Sequence, residues 1–252
     1  MAGGAALKLS IVTVVRNDPR VVEALASVRA QHCGAEVECI VVDGASTDGT
    51  LAALEASGLR VDRLISEPDG GLYDAMNKGI ALATGEVVGT LNADDRYASD
   101  TVLASVAAAF EDPGILAAYG DLAYLTPAGR VLRRWGSRPF QAGDFARGWM
   151  PPHPTFFVRR EVYGRWGGFD TGFRIAADFE LMLRFLEVHR VPSRHVPEVW
   201  IHMRSGGVSN RSPGNIWRAN RECLRALRKH GLPAPWTFIP RKILSKLPQF
   251  LG

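Results

Sequence analysis

The chain has 252 residues, 46% of them hydrophobic, with 30 basic and 26 acidic side chains and a formal charge of +4. That length and apolar content supply one large core, or one core with a small appendage, and the basic excess is too slight, and too concentrated near the end, for a nucleic-acid-binding protein. Three cysteines, Cys33, Cys39 and Cys223, without C-x-x-C spacing argue against a disulfide framework or a zinc site and fit a reducing cytoplasm.

The opening "MAGGAALKLSIVTVV" fits neither a secretory leader nor a membrane span, and no later run approaches the roughly 20 apolar residues of a spanning helix. Residues 7–15 read as a strand. Asp18 as cap and Pro19 in the first turn then predict a helix over 20–31, with Val22, Leu25 and Val28 on one face. A second strand is expected at 36–42, followed by the loop "DGASTDGT" and a helix ending at Gly58. A short third strand at 61–66 leads through "EPDGG" into a helix over 72–83, and after Gly85 a buried strand over 86–91. Strands alternating with helices predict a mainly parallel sheet flanked by helices.

Ser99 is the expected cap of an Ala-rich helix reaching Phe110. Beyond Pro113, "ILAAYGDLAYL", "TPAGR" and "VLRRW" predict a hairpin, "HPTFFVRR" a further strand, and 177–190 a helix with Phe179, Leu183 and Leu186 on its apolar side. The rest is basic and aromatic, and no internal repeat or low-complexity linker divides the chain.

Acidic residues gather where the strands end. Asp43 follows the second strand, Asp69 the third, and Asp94 with Asp95 the fourth. In open α/β sheets ligands bind beyond these carboxyl ends. Adjacent carboxylates repel unless a cation lies between them, and hard oxygen ligands suit Mg²⁺ or Mn²⁺, which favour phosphate oxygens. The expected site is therefore a metal-assisted phosphate site. Neither G-x-x-x-x-G-K-[ST] nor, after the first strand, G-x-G-x-x-G is present, which argues against a P-loop and a dinucleotide site. The first strand runs instead into "RND", leaving metal and side chains to hold the phosphates.

Taken in order, "SIVTVVRND", "VVDGASTDGT", "EPDGGLYDAMNKGIALATGEVV", "LNADD" and "AADFELMLR" resemble family 2 glycosyltransferases of the GT-A fold, in particular bacterial exopolysaccharide and lipopolysaccharide enzymes of the colanic-acid type. The resemblance covers about residues 7–205. It implies an α/β GT-A domain over 1–212, with a nucleotide-binding half at about 7–111 and an acceptor half at about 112–212, and a small mixed C-terminal elaboration. A basic amphipathic helical region over 213–252 would follow. It also implies an inverting, metal-dependent transfer of a sugar from a nucleotide diphosphate donor, UDP-sugar favoured, to an acceptor hydroxyl in cell-surface polysaccharide or glycolipid assembly.

The resemblance also assigns roles. Asp178 is the expected catalytic base. Asp43 would accept the imide N–H of uracil. Asn92, Ala93 and Asp94 align with the usual Asp-x-Asp motif, so Asp94, with Asp95 beside it, would ligate Mg²⁺ or Mn²⁺, joined by His202 in "WIHMRSGGVS". Asn92 replaces the usual first acid and can still bond ribose hydroxyls. Asp69 and Lys78 are expected near the donor, and Arg204 on its diphosphate.

Plainer readings stand beside these. Asp94 and Asp95 suit a turn, Asp43 an Asx turn, Asp48 a helix start, and Asp69 and Asp74 capping positions. Asp178 and Glu180 suit a helix's first turn. His153 reads equally as site or structure, while His32, His189, His195 and His230 are expected to be surface or satisfied histidines. The tail "WTFIPRKILSKLPQFLG" suits either a helix docked on the domain or one lying in an anionic membrane interface, the latter placing the protein at the inner face of the cytoplasmic membrane beside a lipid-linked acceptor. Rival functions are a non-catalytic nucleotide-sugar or lipid-binding module and a sugar-1-phosphate nucleotidyltransferase, although the latter wants a glycine-rich loop that "VVRNDPR" lacks.

Overall fold

Strand β1 (Lys8–Val15) sends Leu9, Ile11 and Val15 to one apolar core and Val12 and Val14 to another, as a strand buried on both faces must. It is the centre of a parallel group with β2 (Glu36–Asp43), β3 (Arg63–Ser66) and β4 (Val87–Asn92). The structure is a computed structural model and describes residues 7–204 and 213–244.

The sheet has nine strands in the order β3-β2-β1-β4-β8-β6-β9-β5, with β7 attached to β6. Its second half is mixed. β8 (Phe157–Arg159) runs antiparallel to β4 and to β6 (Ala117–Leu125). β9 (Ser193–Arg204) lies parallel to β6, while β5 (Asp95–Tyr97) pairs antiparallel with β9, and β7 (Val131–Trp135) with β6. Helices α1 (Val21–Arg29), α2 (Thr50–Ala56) and α4 (Val102–Ala109) cover one face. The other carries α3 (Leu72–Leu82), α5 (Arg160–Trp166), α6 (Ala177–Met182), α7 (Pro213–Lys229) and α8 (Phe238–Leu244). Helix α3 lies so close to β1 that a Cβ at Gly79 would fall 2.2 Å from Val12 Cγ1, so a side chain there would push the helix off the sheet.

The predicted mainly parallel sheet flanked by helices is the observed architecture, and each strand and helix expected up to Phe110 is present. Two expected caps differ. Asp18 does not cap α1: its Oδ1 accepts the Arg20 amide at 3.1 Å and the Arg20 Nε at 2.7 Å, and Arg20 becomes the capping position. Ser99 likewise stands ahead of Thr101, the actual cap of α4. The segment read as one helix over 177–190 is α6 continued by a π-helical stretch, Leu183–Val188. Three elements carried no prediction: β5, α5 and the twelve-residue β9.

The C-terminal region is built into the same body. Cys223, Ala226 and Leu227 of α7 and Phe238 of α8 belong to the core that holds Phe179 and Tyr73, and Phe238 meets the Phe179 ring edge-on at 6.0 Å. The docked reading of the tail therefore holds for Phe238, while Trp236, Ile243 and Leu244 are exposed. The remainder of that tail, from 245 on, lies outside the described residues. Among the described residues, no helix is long and apolar enough to cross a membrane.

Candidate active site

At the carboxyl ends of β1 and β4 the sheet opens into a cleft of about 910 Å³. Two groups of side chains line it, a first end of the site built from Asp18, Arg20, Asn92 and Asp94 and a second from Tyr73, His153 and Asp178, while α7 and α8 contribute Asn220 and Lys242.

At the first end, Asn92 finishes β4 and Asp94 stands in the turn before β5, 36% exposed and 4.0 Å from the Arg20 guanidinium. Asp95, 2% exposed, turns inward, and its Oδ2 accepts the Asn92 side-chain N–H at 2.9 Å. Burial, and then the neighbouring charge of Asp94, push the Asp95 carboxyl up to about 8. Its other oxygen, Oδ1, is buried without a hydrogen-bond partner, and so is Asn92 Oδ1. Buried polar atoms are nearly always satisfied, so two orphans beside the half-buried Asp94 leave this turn incompletely hydrogen-bonded by the protein alone.

These hard oxygens are of the kind that would suit Mg²⁺ or Mn²⁺. The expected set of Asp94, Asp95 and His202 is nevertheless not assembled as a cage: among the described residues no three His, Cys, Asp or Glu side chains converge on one metal position. The reason lies in the β5–β9 ladder, where Asp95 is opposite Met203 and His202 is opposite Arg96. Cross-strand partners share a face and successive residues alternate, so the Asp95 and His202 side chains leave the ladder on opposite faces, although Asp94, Asp95 and His202 all line a second, small pocket together with Arg20 and Arg204. Burial and the Arg96 charge lower the His202 pKa, which favours its neutral form.

At the second end, Asp178 is the second residue of α6, and its Oδ1 accepts the Phe179 amide at 2.8 Å and the Tyr73 hydroxyl at 3.3 Å. Tyr73 also donates to Ile175 O at 2.8 Å. Burial, reinforced by the Asp178 charge, drives the Tyr73 pKa well up, so it remains a donor. His153 sits in a 3-10 turn between Pro152 and Pro154 with its ring edge-on to Phe169 at 5.4 Å. Its pKa is lowered by burial and opposed by Asp178, so it enters the cleft as a neutral imidazole at physiological pH.

The other expected site residues divide. Arg204 lines the cleft, paired with Glu23 at 2.5 Å. Asp69 also lines it, holding the Gly71 amide at 2.8 Å; its carboxylate packs so tightly on Gly44 that a Cβ there would collide with it. Lys78 is turned away: its ammonium is taken by Glu67 at 2.7 Å and Pro68 O at 3.0 Å, so it staples the loop before α3 and does not line the cleft. Asp43 is fully buried, with Ser46 N at 3.0 Å, Ser66 Oγ at 2.7 Å and the Ser46 hydroxyl on its carboxylate. Burial pushes its pKa up and those hydrogen bonds outweigh it, leaving the carboxyl below the usual value.

Sequence reasoning passed over Arg20, Tyr73 and Glu222. Arg20 faces Asp94 and is also gripped by Asp18, the chief cause of its raised pKa; a basic residue following "RNDP" was the available signal. Tyr73, inside the "EPDGGLYDAMNKGI" motif, carried no reading of its own. His195 and His230 are satisfied as expected, by Asp121 at 3.0 Å and Glu180 at 2.7 Å. Asp48 starts α2 by accepting the Thr50 amide at 3.0 Å, the plainer reading given for it.

A mixed sheet whose parallel half ends in acidic loops, with a cleft reaching from an Asn-x-Asp turn to a helix-borne aspartate, defines a GT-A glycosyltransferase. The Glycosyl transferase family 2 model matches residues 10–177, and the chain belongs to that family. It is 36% identical over 222 residues to a PGL/p-HBAD biosynthesis glycosyltransferase of Mycobacterium bovis, covering 82% of this chain and 80% of that one. It is 35% identical to an uncharacterized glycosyltransferase of Mycobacterium tuberculosis, covering 70% of this chain and 68% of the relative. Among solved structures, TarS of S. aureus in complex with UDP-GlcNAc superposes with a TM-score of 0.67 at 17% identity, covering 94% of this chain and 73% of that one. The mannosyltransferase PcManGT of Pyrobaculum calidifontis, in complex with GDP-Man and Mn²⁺, gives 0.63 at 22% identity, covering 96% and 70%.

Proposed function

We propose that the enzyme is an inverting, metal-dependent glycosyltransferase that moves a sugar from a nucleotide diphosphate donor to an acceptor hydroxyl in polysaccharide or glycolipid assembly. The observation that carries this reading is the single cleft running from the Asn92–Asp94 turn to Asp178. A diphosphate held beside Asp94 and an acceptor beside Asp178 would share one cleft with the donor sugar, as an in-line displacement requires.

Asp178 takes the proton from the acceptor hydroxyl as its oxygen bonds to the anomeric carbon. The bond from that carbon to the diphosphate oxygen breaks, and its electron pair leaves with the nucleoside diphosphate. Tyr73 fixes the orientation of Asp178 from one side. Arg20 and Arg204 offer charge to the departing diphosphate. Asp94, with the unpartnered oxygens of Asn92 and Asp95, would hold Mg²⁺ or Mn²⁺, which when bound supplies Lewis-acid neutralisation of that diphosphate.

A UDP-sugar is the favoured donor, since a carboxylate at Asp43 suits the imide of uracil. Asp43 is covered by Ser46 and Ser66, so base contact requires that loop to open. The nucleotide sugars in the TarS and PcManGT complexes support the donor class.

The decisive experiment is a panel of UDP-, GDP- and dTDP-sugars crossed with soluble and lipid-linked acceptors, read by nucleoside diphosphate release and by the anomeric configuration of the product. Acceptor-dependent release with an inverted anomer is expected. Nucleotide-sugar binding without release under any pairing means a binding module, and pyrophosphate release from a nucleoside triphosphate means a nucleotidyltransferase.

A lipid-linked acceptor agrees with the exposure of Trp217, Trp236, Ile243 and Leu244, together with that of Arg218, Arg221 and Arg241, in the C-terminal region. Peripheral attachment to the anionic inner face of the cytoplasmic membrane is the corresponding location. Flotation with phosphatidylglycerol vesicles, absent with phosphatidylcholine vesicles and reduced in the Trp217→Ala/Trp236→Ala variant, is expected; equal recovery on both vesicle types rules out the charge-based attachment.

A further inference from the structure

Helix α7 buries Glu222, Cys223, Ala226 and Leu227, the i, i+1, i+4, i+5 stripe that faces the core. A carboxylate in such a stripe is costly unless its hydrogen bonds are made. Glu222, 8% exposed, makes three: Oε1 accepts the Arg174 amide at 3.2 Å, and Oε2 accepts the Ile175 and Ala176 amides, both at 2.9 Å. These are consecutive N–H groups immediately before α6. The capping position of that helix is Ala176, which has no side chain to cap with, so a carboxylate from α7 ties down the entry to α6. On the opposite edge of the same segment, Tyr73 donates to Ile175 O at 2.8 Å. The peptide two residues upstream of Asp178 is thus clamped through its N–H groups from α7 and through its carbonyl from α3.

We propose that Glu222 is a positioning residue for the catalytic base, and that α7 is part of the catalytic unit although the family match stops at residue 177. This rests on Asp178 being the base. Glu222 touches neither donor nor acceptor; it sets the backbone from which Asp178 reaches the acceptor hydroxyl. An error near 1 Å in such placement costs up to about 100-fold in rate, while the Asp94 end that binds the donor is untouched.

The test compares full-length wild type, Glu222→Gln, Glu222→Ala and Asp178→Asn with a UDP-sugar and Mn²⁺, measuring kcat, donor KM, UDP affinity by calorimetry and thermal melting. Gln keeps one accepting oxygen and Ala none, so kcat per UDP-binding molecule is expected to fall about 10-fold in Gln and about 100-fold in Ala, with donor KM and UDP affinity within about two-fold of wild type. Wild-type kcat in both Glu222 variants, with Asp178→Asn inactive, overturns this inference alone. Losses of kcat matched by equal losses of UDP affinity, or a lowered melting point with unchanged kcat per binding-competent molecule, reduce Glu222 to a structural role and also overturn it. Full turnover by Asp178→Asn overturns the base assignment and this inference with it. Should Glu222→Ala not fold, the kcat-against-KM split in Glu222→Gln decides.

Discussion

At the Asp94 end of the cleft two buried oxygens, Asn92 Oδ1 and Asp95 Oδ1, have no partner, and a carboxyl titrates far above its ordinary range. At the Asp178 end the segment that carries this proposed base is held by Glu222 from one side and by Tyr73 from the other. One end keeps unsatisfied oxygens; the other is fixed by the protein itself. The difference suits the chemistry proposed for each end. A base must be held in one place to accept a proton, and rigidity can be built from protein alone. A diphosphate brings its own negative charge with its cation, so a site that satisfied all its oxygens internally would leave nothing for that cation to bind.

The sharpest way to break this comparison is at the base. Asp178→Asn is expected to lower kcat about 1,000-fold, with nucleotide affinity kept, because the amide preserves the shape and removes the proton acceptor. Measurement of nucleoside diphosphate release at saturating donor and acceptor checks it, and turnover within a few-fold of wild type rules out the role. At the opposite end, Asp94→Asn is expected to cost about 100-fold in the Mn²⁺-supported rate and to raise the Mn²⁺ concentration needed for half-activity. A rate that EDTA leaves intact in the wild-type protein removes the cation from the scheme.

The parallel half of the fold was legible because its signals are local. Strands buried on both faces read as unbroken apolar runs, and the acidic loops mark their carboxyl ends, which brought Asp43, Asp69 and Asp94 into view; Asp178, on a helix, came only with the family motif. Strand β9 was missed because its pairing with β6 joins residues far apart in the sequence, and its burial pattern lacks a clean alternation. The same cause hid Glu222, an acid in a basic helix that means nothing until α7 is laid against the entry to α6. His202 shows the limit of motif spacing. Its position relative to the acidic motif suggested a metal ligand, yet the face it occupies is set by the register of β5 on β9. Lys78 was likewise assigned to the donor by motif, whereas Glu67, eleven positions earlier, holds its ammonium. Motifs located the site; which side chains turn into it depended on contacts between distant segments.

The effect furthest from the rate, read in stability and not in turnover, is the most diagnostic of the uncompensated end. With the Asp95 carboxyl at about 8 in the fold and 3.8 as its ordinary value, the folded protein carries a proton across that interval that the unfolded chain has released. Stability falls with rising pH wherever the folded state binds more protons, so this group makes the metal-free protein progressively less stable from about pH 4 to pH 8, by at most about 1.4 kcal/mol per pH unit. Asn at this position has no proton to lose, and its side-chain oxygen can still accept the Asn92 N–H. Asp95→Asn should therefore flatten the slope of melting temperature against pH in that interval and melt above the wild type at pH 8 without metal. Mn²⁺ bound beside Asp94 would take the place of the Asp95 proton, so it should raise the melting temperature of the wild-type protein more at pH 8 than at pH 5, and by less in the variant. An unchanged pH slope in Asp95→Asn would show that this carboxyl is ionised in the metal-free fold. Failure of Mn²⁺ to stabilise the wild-type protein at pH 8 would leave the two orphaned oxygens to some other donor, and the contrast between the two ends of the cleft would have to be redrawn around Arg20, the cation nearest Asp94 in the structure.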